Sequence, residues 1–150
     1  MAEPVRGQES IVINATPESV YDLVADISNM GRFSPETRAC EWKDSGGAAV
    51  GATFRGHNKY RAMRWSNTCE VLAAERGKEF AFRRPGPDQS TTWRYLFEPV
   101  EGGTRLTESW YQERLPAAFI RATIGLMLRG RDVNQGVRTT LERIKAEAEA

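Results

Sequence analysis

Residues 116–149 read PAAFIRATIGLMLRGRDVNQGVRTTLERIKAEAE, and the fold turns on how that stretch is packed. In its second half Val133, Val137, Leu141, Ile144 and Ala148 recur at helical spacing, which puts them on one face of a 3.6-residue period. The other face is charged. Arg138 and Glu142, Glu142 and Lys145, and Lys145 and Glu149 are spaced so that each pair can meet across a turn. The first half, residues 117–128, is more apolar, with Phe119, Ile120, Ile124, Leu126, Met127 and Leu128. One unbroken helix over the whole stretch would be about 50 Å long, more than the width of a domain this size. Gly125, Gly130 and Gly136 each cost about 1 kcal/mol against Ala in a helix interior. The sequence therefore predicts a kink or break near residues 125–130, then a long packed helix to about Glu147.

An amphipathic helix of that length needs an apolar surface to lie on, and the preceding chain supplies strands. Residues 9–14 alternate Ile11 and Ile13 with Ser10 and Val12, a short strand. Thr16-Pro17-Glu18-Ser19 opens a helix: Thr16 can cap, Pro17 suits the first helical position, and Glu18 suits the positive end. Val20, Leu23, Val24 and Ile27 follow at helical spacing. A turn and second short helix over residues 26–35 stop at Pro35. Strands are then expected at residues 37–43, 52–60, 65–74, 78–84, 90–98 and 104–114, the last two joined by Pro99-Val100-Glu101-Gly102-Gly103. From residue 52 onward the connections are too short for crossover helices, so the sheet there must be an antiparallel meander. The economical arrangement is α+β: a curved six- to seven-stranded antiparallel sheet gripping the C-terminal helix, with two short helices after the first strand.

Composition bounds the function. A chain of 150 residues fits one domain over 1–150, with an ordered core of about 9–147. The 21 basic residues against 20 acidic ones, with no long block of either sign, argue against a nucleic acid partner. Residues 1–8 have no apolar run to act as a signal peptide. Residues 117–128 are interrupted by Arg121 and too short to span a bilayer. The expectation is a cytoplasmic protein with Cys40 and Cys69 as reduced thiols.

The order of elements resembles the START-like helix-grip (SRPBCC) superfamily, and more narrowly its polyketide cyclase/dehydrase and lipid-transport branch. The resemblance covers roughly residues 9–147. It is carried by Thr16-Pro17-Glu18-Ser19-Val20-Tyr21, Phe33-Ser34-Pro35-Glu36, Phe54-Arg55-Gly56-His57-Asn58 and Trp65. Trp93-Arg94-Tyr95 and Gly102-Gly103-Thr104-Arg105-Leu106-Thr107-Glu108 complete it. The family usually has Trp where Phe33 stands. The resemblance implies a cavity between sheet and last helix, with its mouth near Ser34-Pro35-Glu36, whose plainer role is a helix stop. It also implies aromatase/cyclase-type activity as one option, although a shared fold does not fix function.

Strand parity says which residues share a face. One face collects Phe54, Gly56, Asn58 and Tyr60; Trp65, Asn67, Cys69 and Val71; and Phe80 and Phe82. Thr91, Trp93, Tyr95 and Phe97, with Leu106, Glu108, Trp110 and Gln112, continue it. An aromatic wall with a few convergent polar groups suits a small-molecule pocket, although the same aromatics would also serve as core. Glu108 is the candidate for chemistry, because an inward carboxylate must be paired, protonated or solvated; a salt bridge to a nearby Arg is its plainer role. The candidate ligand wall is Asn58, Tyr60, Trp65, Cys69, Phe82, Trp93, Tyr95, Phe97 and Trp110, with Ile124, Met127 and Leu128 from the last helical stretch. Asn58 can equally be a satisfied structural amide. Gly125 and Gly130 would let their segment move as a lid, or are simply glycines in a helix face.

His57, the single histidine, shares its face with Arg55 and Lys59 and reads as solvated. One histidine and two dispersed cysteines fit no usual zinc spacing, and no phosphate loop or nucleophile elbow is present, so neither metal nor cofactor is expected. Three functions stay open. The chain binds a hydrophobic small molecule (a lipid, fatty acyl chain or polyketide-like aromatic). Alternatively it is an aromatase/cyclase-type enzyme using Glu108 or a Tyr for proton transfer. Or it is a protein–protein module, monomeric or homodimeric.

Overall fold

The computed structural model describes residues 5–44, 46–84, 90–113 and 132–150. These form a seven-stranded sheet, all of whose neighbours are antiparallel. The strands are β1 Val5–Ile13, β2 Thr37–Trp42, β3 Thr53–Tyr60, β4 Met63–Glu75, β5 Glu79–Arg84, β6 Thr91–Val100 and β7 Gly103–Gln112. Their spatial order is β1-β7-β6-β5-β4-β3-β2, so the meander β2 to β7 is completed by β1 returning alongside β7. Helix α1 spans Pro17–Ala25, a 3-10 turn Ile27–Asn29 leads into α2 Met30–Phe33, and α3 spans Val133–Ala148. This is the expected α+β helix-grip architecture. The predicted kink and lid lie outside the described residues.

Local chemistry explains the elements. The Thr16 hydroxyl accepts from the Ser19 amide at 3.2 Å and caps α1, with Pro17 just inside. Asp132 caps α3, accepting from the Gln135 amide at 3.1 Å. The α3 stripe buries Val137, Leu141 and Ile144, with Val133 and Ala148 half-buried at its ends. Each such side chain, fully buried, is worth about 1.5–3 kcal/mol of apolar transfer. On the charged face Lys145 meets Glu149 at 2.7 Å as the spacing predicts. Arg138 does not turn to Glu142; it reaches Glu9 of β1 at 2.7 Å. Arg32 reaches Glu147 at 2.8 Å, tying α2 to the far end of α3.

Several boundaries differ from expectation by a few residues, two of them with a clear cause. Strand β1 starts at Val5 rather than residue 9, because its ladder with β7 continues to Val5↔Gln112. The β6–β7 connection is Glu101-Gly102 rather than five residues, since Pro99 and Val100 still pair with Thr104 and Gly103. Pro99 is tolerated there because β5 pairs only as far as Glu79↔Leu96, so no neighbour on that side needs its missing N–H. Gly103 adopts φ +133°, and a Cβ there would lie 2.1 Å from the Ile13 carbonyl oxygen, so only glycine fits. A register shift in β4 between Val71 and Ala73 marks a bulge, which adds local bend and twist.

The core lies at the α1 end of the concave face. Tyr21 of α1 sits edge-on to Phe80 and Phe97, with ring centroids 6.3 and 5.4 Å away. Ile13, Val20, Val24, Ile27, Leu106 and Ile144 are fully buried around them.

Candidate functional site

Beyond that core the concave face and the helices leave a cavity of about 370 Å³, within the size range of ligand pockets. Met30, Ser34 and Pro35 close one side, and Val133, Gly136, Val137 and Thr140 of α3 close another. A Cβ at Gly136 would touch only Pro35, at 3.7 Å, so this glycine relieves no clash and instead leaves the cavity wall open.

The sheet faces the cavity in registered rows, in which Phe80 and Trp110 are covered and the other residues line it. Nearest the core, Phe80 pairs with Tyr95 and Tyr95 with Glu108. The next row is Phe82, Trp93 and Trp110, and the next Arg84, Thr91 and Gln112. Phe54, opposite Cys69, carries the wall onto β3 and stacks edge-to-face on Phe82 at 5.1 Å.

Glu108 is the chemical centre of the site. It is 3% exposed, and its Oε2 accepts from the Tyr95 hydroxyl at 2.9 Å. Its Oε1 is buried and has no partner among the described residues. Burial pushes the carboxyl up to about 8, against the smaller lowering by the Tyr95 hydrogen bond. Burial, with the adjacent Glu108, holds Tyr95 well above its ordinary value, so the phenol stays a donor. Neutral Glu108 has one O–H to give, and with Oε2 occupied by Tyr95, Oε1 is where a ligand oxygen can be met. The expected alternative, a salt bridge to a nearby arginine, is not what holds Glu108.

Of the predicted ligand wall, Asn58, Trp65, Cys69, Phe82, Trp93 and Tyr95 line the cavity, as does the candidate for chemistry, Glu108. The Asn58 Oδ1 accepts from the Thr37 hydroxyl at 3.1 Å, so this amide is partly committed to structure. Tyr60, Phe97 and Trp110 are not among the lining residues. Phe97 shares the inward face but lies under α1, against Tyr21. Trp110 tilts against Trp93 at 6.3 Å and fills the space above Gly7, where a Cβ would lie 2.5 Å from its ring. Tyr60 ends β3 beside the turn, with the Arg61 guanidinium 5.3 Å over its ring. Ile124, Met127 and Leu128 lie outside the described residues.

The sequence reading missed Arg84, Met30, Cys40 and Met63, which also line the cavity. Arg84 was within reach of parity, since it continues Phe80 and Phe82 along β5. Cys40 faces inward from β2 beside Gly56. Burial pushes the Cys40 thiol up to about 11 and the Cys69 thiol up to about 12, with smaller contributions from Glu41 and from Cys40 respectively. Both are free and neutral around pH 7. His57 is on the outer face, with Nε2 2.7 Å from Glu41 and Nδ1 2.9 Å from Ser66. Among the described residues no cluster of three His, Cys, Asp or Glu side chains is placed to hold a metal ion. No described helix is long and apolar enough to cross a membrane.

The comparisons agree with this geometry. The family described as polyketide cyclase/dehydrase and lipid transport matches residues 4–149. A polyketide-cyclase-like protein of Corynebacterium glutamicum is 32% identical, with 97% of this chain and 91% of that one covered and a TM-score of 0.66. The chain therefore belongs to the polyketide cyclase/dehydrase and lipid transport family. A Deinococcus radiodurans protein shares the fold at 21% identity and TM-score 0.70, over 97% of each chain. So does a di-domain ARO/CYC from the steffimycin biosynthetic pathway, at 11% identity and TM-score 0.75, over 97% of this chain and 51% of that one. No curated protein matches the chain.

Proposed function

We propose that the chain acts as a single domain that binds a hydrophobic small molecule bearing an oxygen function. A lipid, a fatty acyl chain or a polyketide-like aromatic, held between sheet and α3, would suit it. The observation that carries the reading is Glu108, whose Oε1 is buried without a partner in a cavity walled by Trp93, Phe82 and Phe54. An orphaned buried polar group costs about 1–3 kcal/mol, and a ligand carbonyl or hydroxyl would offset that cost. Two free thiols fit a reducing, cytoplasmic setting.

Native mass spectrometry, repeated after denaturing extraction, tests this. The expected result is an apolar compound released on unfolding. Protein that carries none and takes up neither fatty acids nor aromatic ketones counts against the proposal.

A second reading is supported by one observation: the Glu108 carboxyl is pushed up to about 8, near the pH at which a general acid or base works best. On that reading Glu108, with Tyr95 behind it, moves a proton as a bound chain cyclises or loses water. Glu108→Gln separates the two. A binder keeps its ligand affinity within a few-fold, whereas an enzyme loses turnover with binding retained. The interaction-module reading instead expects no cavity ligand and a mass that depends on concentration.

A further inference from the structure

Of the described arginines, Arg84 and Arg94 are the two that are half-buried. They have opposite surroundings. Arg94 lies on the outer face and pairs with Glu79. Arg84 faces the cavity and makes no ion pair with a described residue. Glu36 and Glu108 are the other charged-type residues on the described cavity wall. Glu108 is engaged with Tyr95, and Glu36 already has a partner.

The sheet register fixes where Arg84 stands relative to Glu108. Phe80 is paired with Tyr95, and Arg84 with Thr91, so Arg84 is four residues along the strands from the Tyr95–Glu108 row. At about 3.4 Å per residue that is roughly 14 Å of strand. The row between is aromatic, Phe82 and Trp93. Thr91 and Gln112 continue the Arg84 row towards β7, while on the other side the row runs to Cys69 and Phe54, with Asn67 one inward position further along β4. On β5–β7 the wall thus carries polar side chains on either side of the aromatic Phe82–Trp93 row. One side offers the orphaned oxygen of Glu108; the other offers a guanidinium whose donors match a carboxylate in a fork.

We propose that the ligand is an apolar acid lying along the strands, with its carboxylate on Arg84, its apolar body against Trp93 and Phe82, and an oxygen at Glu108. This rests on the cavity reading above and narrows it from any hydrophobic compound to an anionic one of limited length.

The test is a fluorescence titration with 1-pyrenebutyrate and 1-pyrenebutanol, which share ring and chain length and differ in the charged end. Arg84→Gln is expected to weaken pyrenebutyrate about ten- to a hundredfold while leaving pyrenebutanol within about threefold. Arg84→Lys should recover part of the loss, since it restores charge without the fork. Arg84 is partly exposed, and unchanged pyrenebutanol binding doubles as the check that the variant is folded. If Arg84→Gln leaves both affinities unchanged, or lowers both alike, the anionic assignment is overturned and the cavity reading stands. If neither probe binds the wild-type protein, both proposals fall.

Discussion

On the outer face of the sheet His57 sits between Glu41 and Ser66, Arg94 reaches Glu79, and Arg105 reaches Glu98 at 3.4 Å. On the inner face Glu108 has one neutral partner and one oxygen with none, Trp110 Nε1 is likewise buried without a partner, and Arg84 has no ion pair with a described residue. The same strands carry both sets. Outside, water can satisfy any charge, so pairing is easy and adds little. Inside, each unsatisfied group costs stability that a better-packed apolar residue would not. Polarity kept where it destabilises points to a task other than folding.

The comparison can be broken at several sizes. The largest effect is expected where the inner face is pure core: Phe80→Ala should lose about 3–5 kcal/mol by chemical denaturation. Leu96→Ala, on the outer face and 43% exposed, should cost far less. Equal losses would mean that the two faces are not distinguished by burial.

Next is pH. The folded-state value of Glu108, about 8, exceeds the ordinary carboxyl value of 4.5, so the folded protein holds a proton that the unfolded chain has released. Stability from this group is therefore full below about 4.5 and declines up to about 8, with a slope of at most about 1.4 kcal/mol per pH unit. Thermal melts of Glu108→Gln from pH 5 to 8 should lack that decline. An unchanged profile would show that Glu108 is not held neutral by burial.

Smaller still, Thr16→Ala should remove the α1 cap at a cost of about 1 kcal/mol. The smallest shift belongs to the outer face, where His57→Gln should change the unfolding free energy by less than about 0.5 kcal/mol at neutral pH, measured by chemical denaturation. A larger loss there would show that the outer trio is structural after all.

Periodicity made much of this legible. The α3 stripe, the meander and the inward orientation of Glu108 follow from residue spacing alone. What spacing does not carry is depth. Phe97 and Trp93 have the same parity on β6, yet α1 covers one and the cavity meets the other; their difference lies in where a helix from elsewhere in the chain comes to rest. Tyr60 has the right parity but ends its strand with its ring under the Arg61 guanidinium rather than on the cavity wall. Arg84 stands in the expected strand with the parity of Phe80 and Phe82, but the apolar pattern that marks the inward set ends at Phe82. Pro99 misled for another reason: proline and glycine punctuate most strands, but here the proline lies where β5 has already ended.

The pairing of β1 with β7 has a consequence for how the chain is made. The closest pair, Ile13↔Thr104, is separated by 91 residues. During synthesis at about 5–20 residues per second, β1 leaves the ribosome roughly 5–20 s before its partner exists. Its other anchors, Arg138 to Glu9 and Lys145 to the Val12 carbonyl, come later still. Through that interval Ile11 and Ile13 belong to a strand with no neighbour, the state in which nascent chains pair with the wrong edge. Arg6 and Glu9, charged residues on the same strand, are the kind of side chains that discourage such pairing until the last helix arrives.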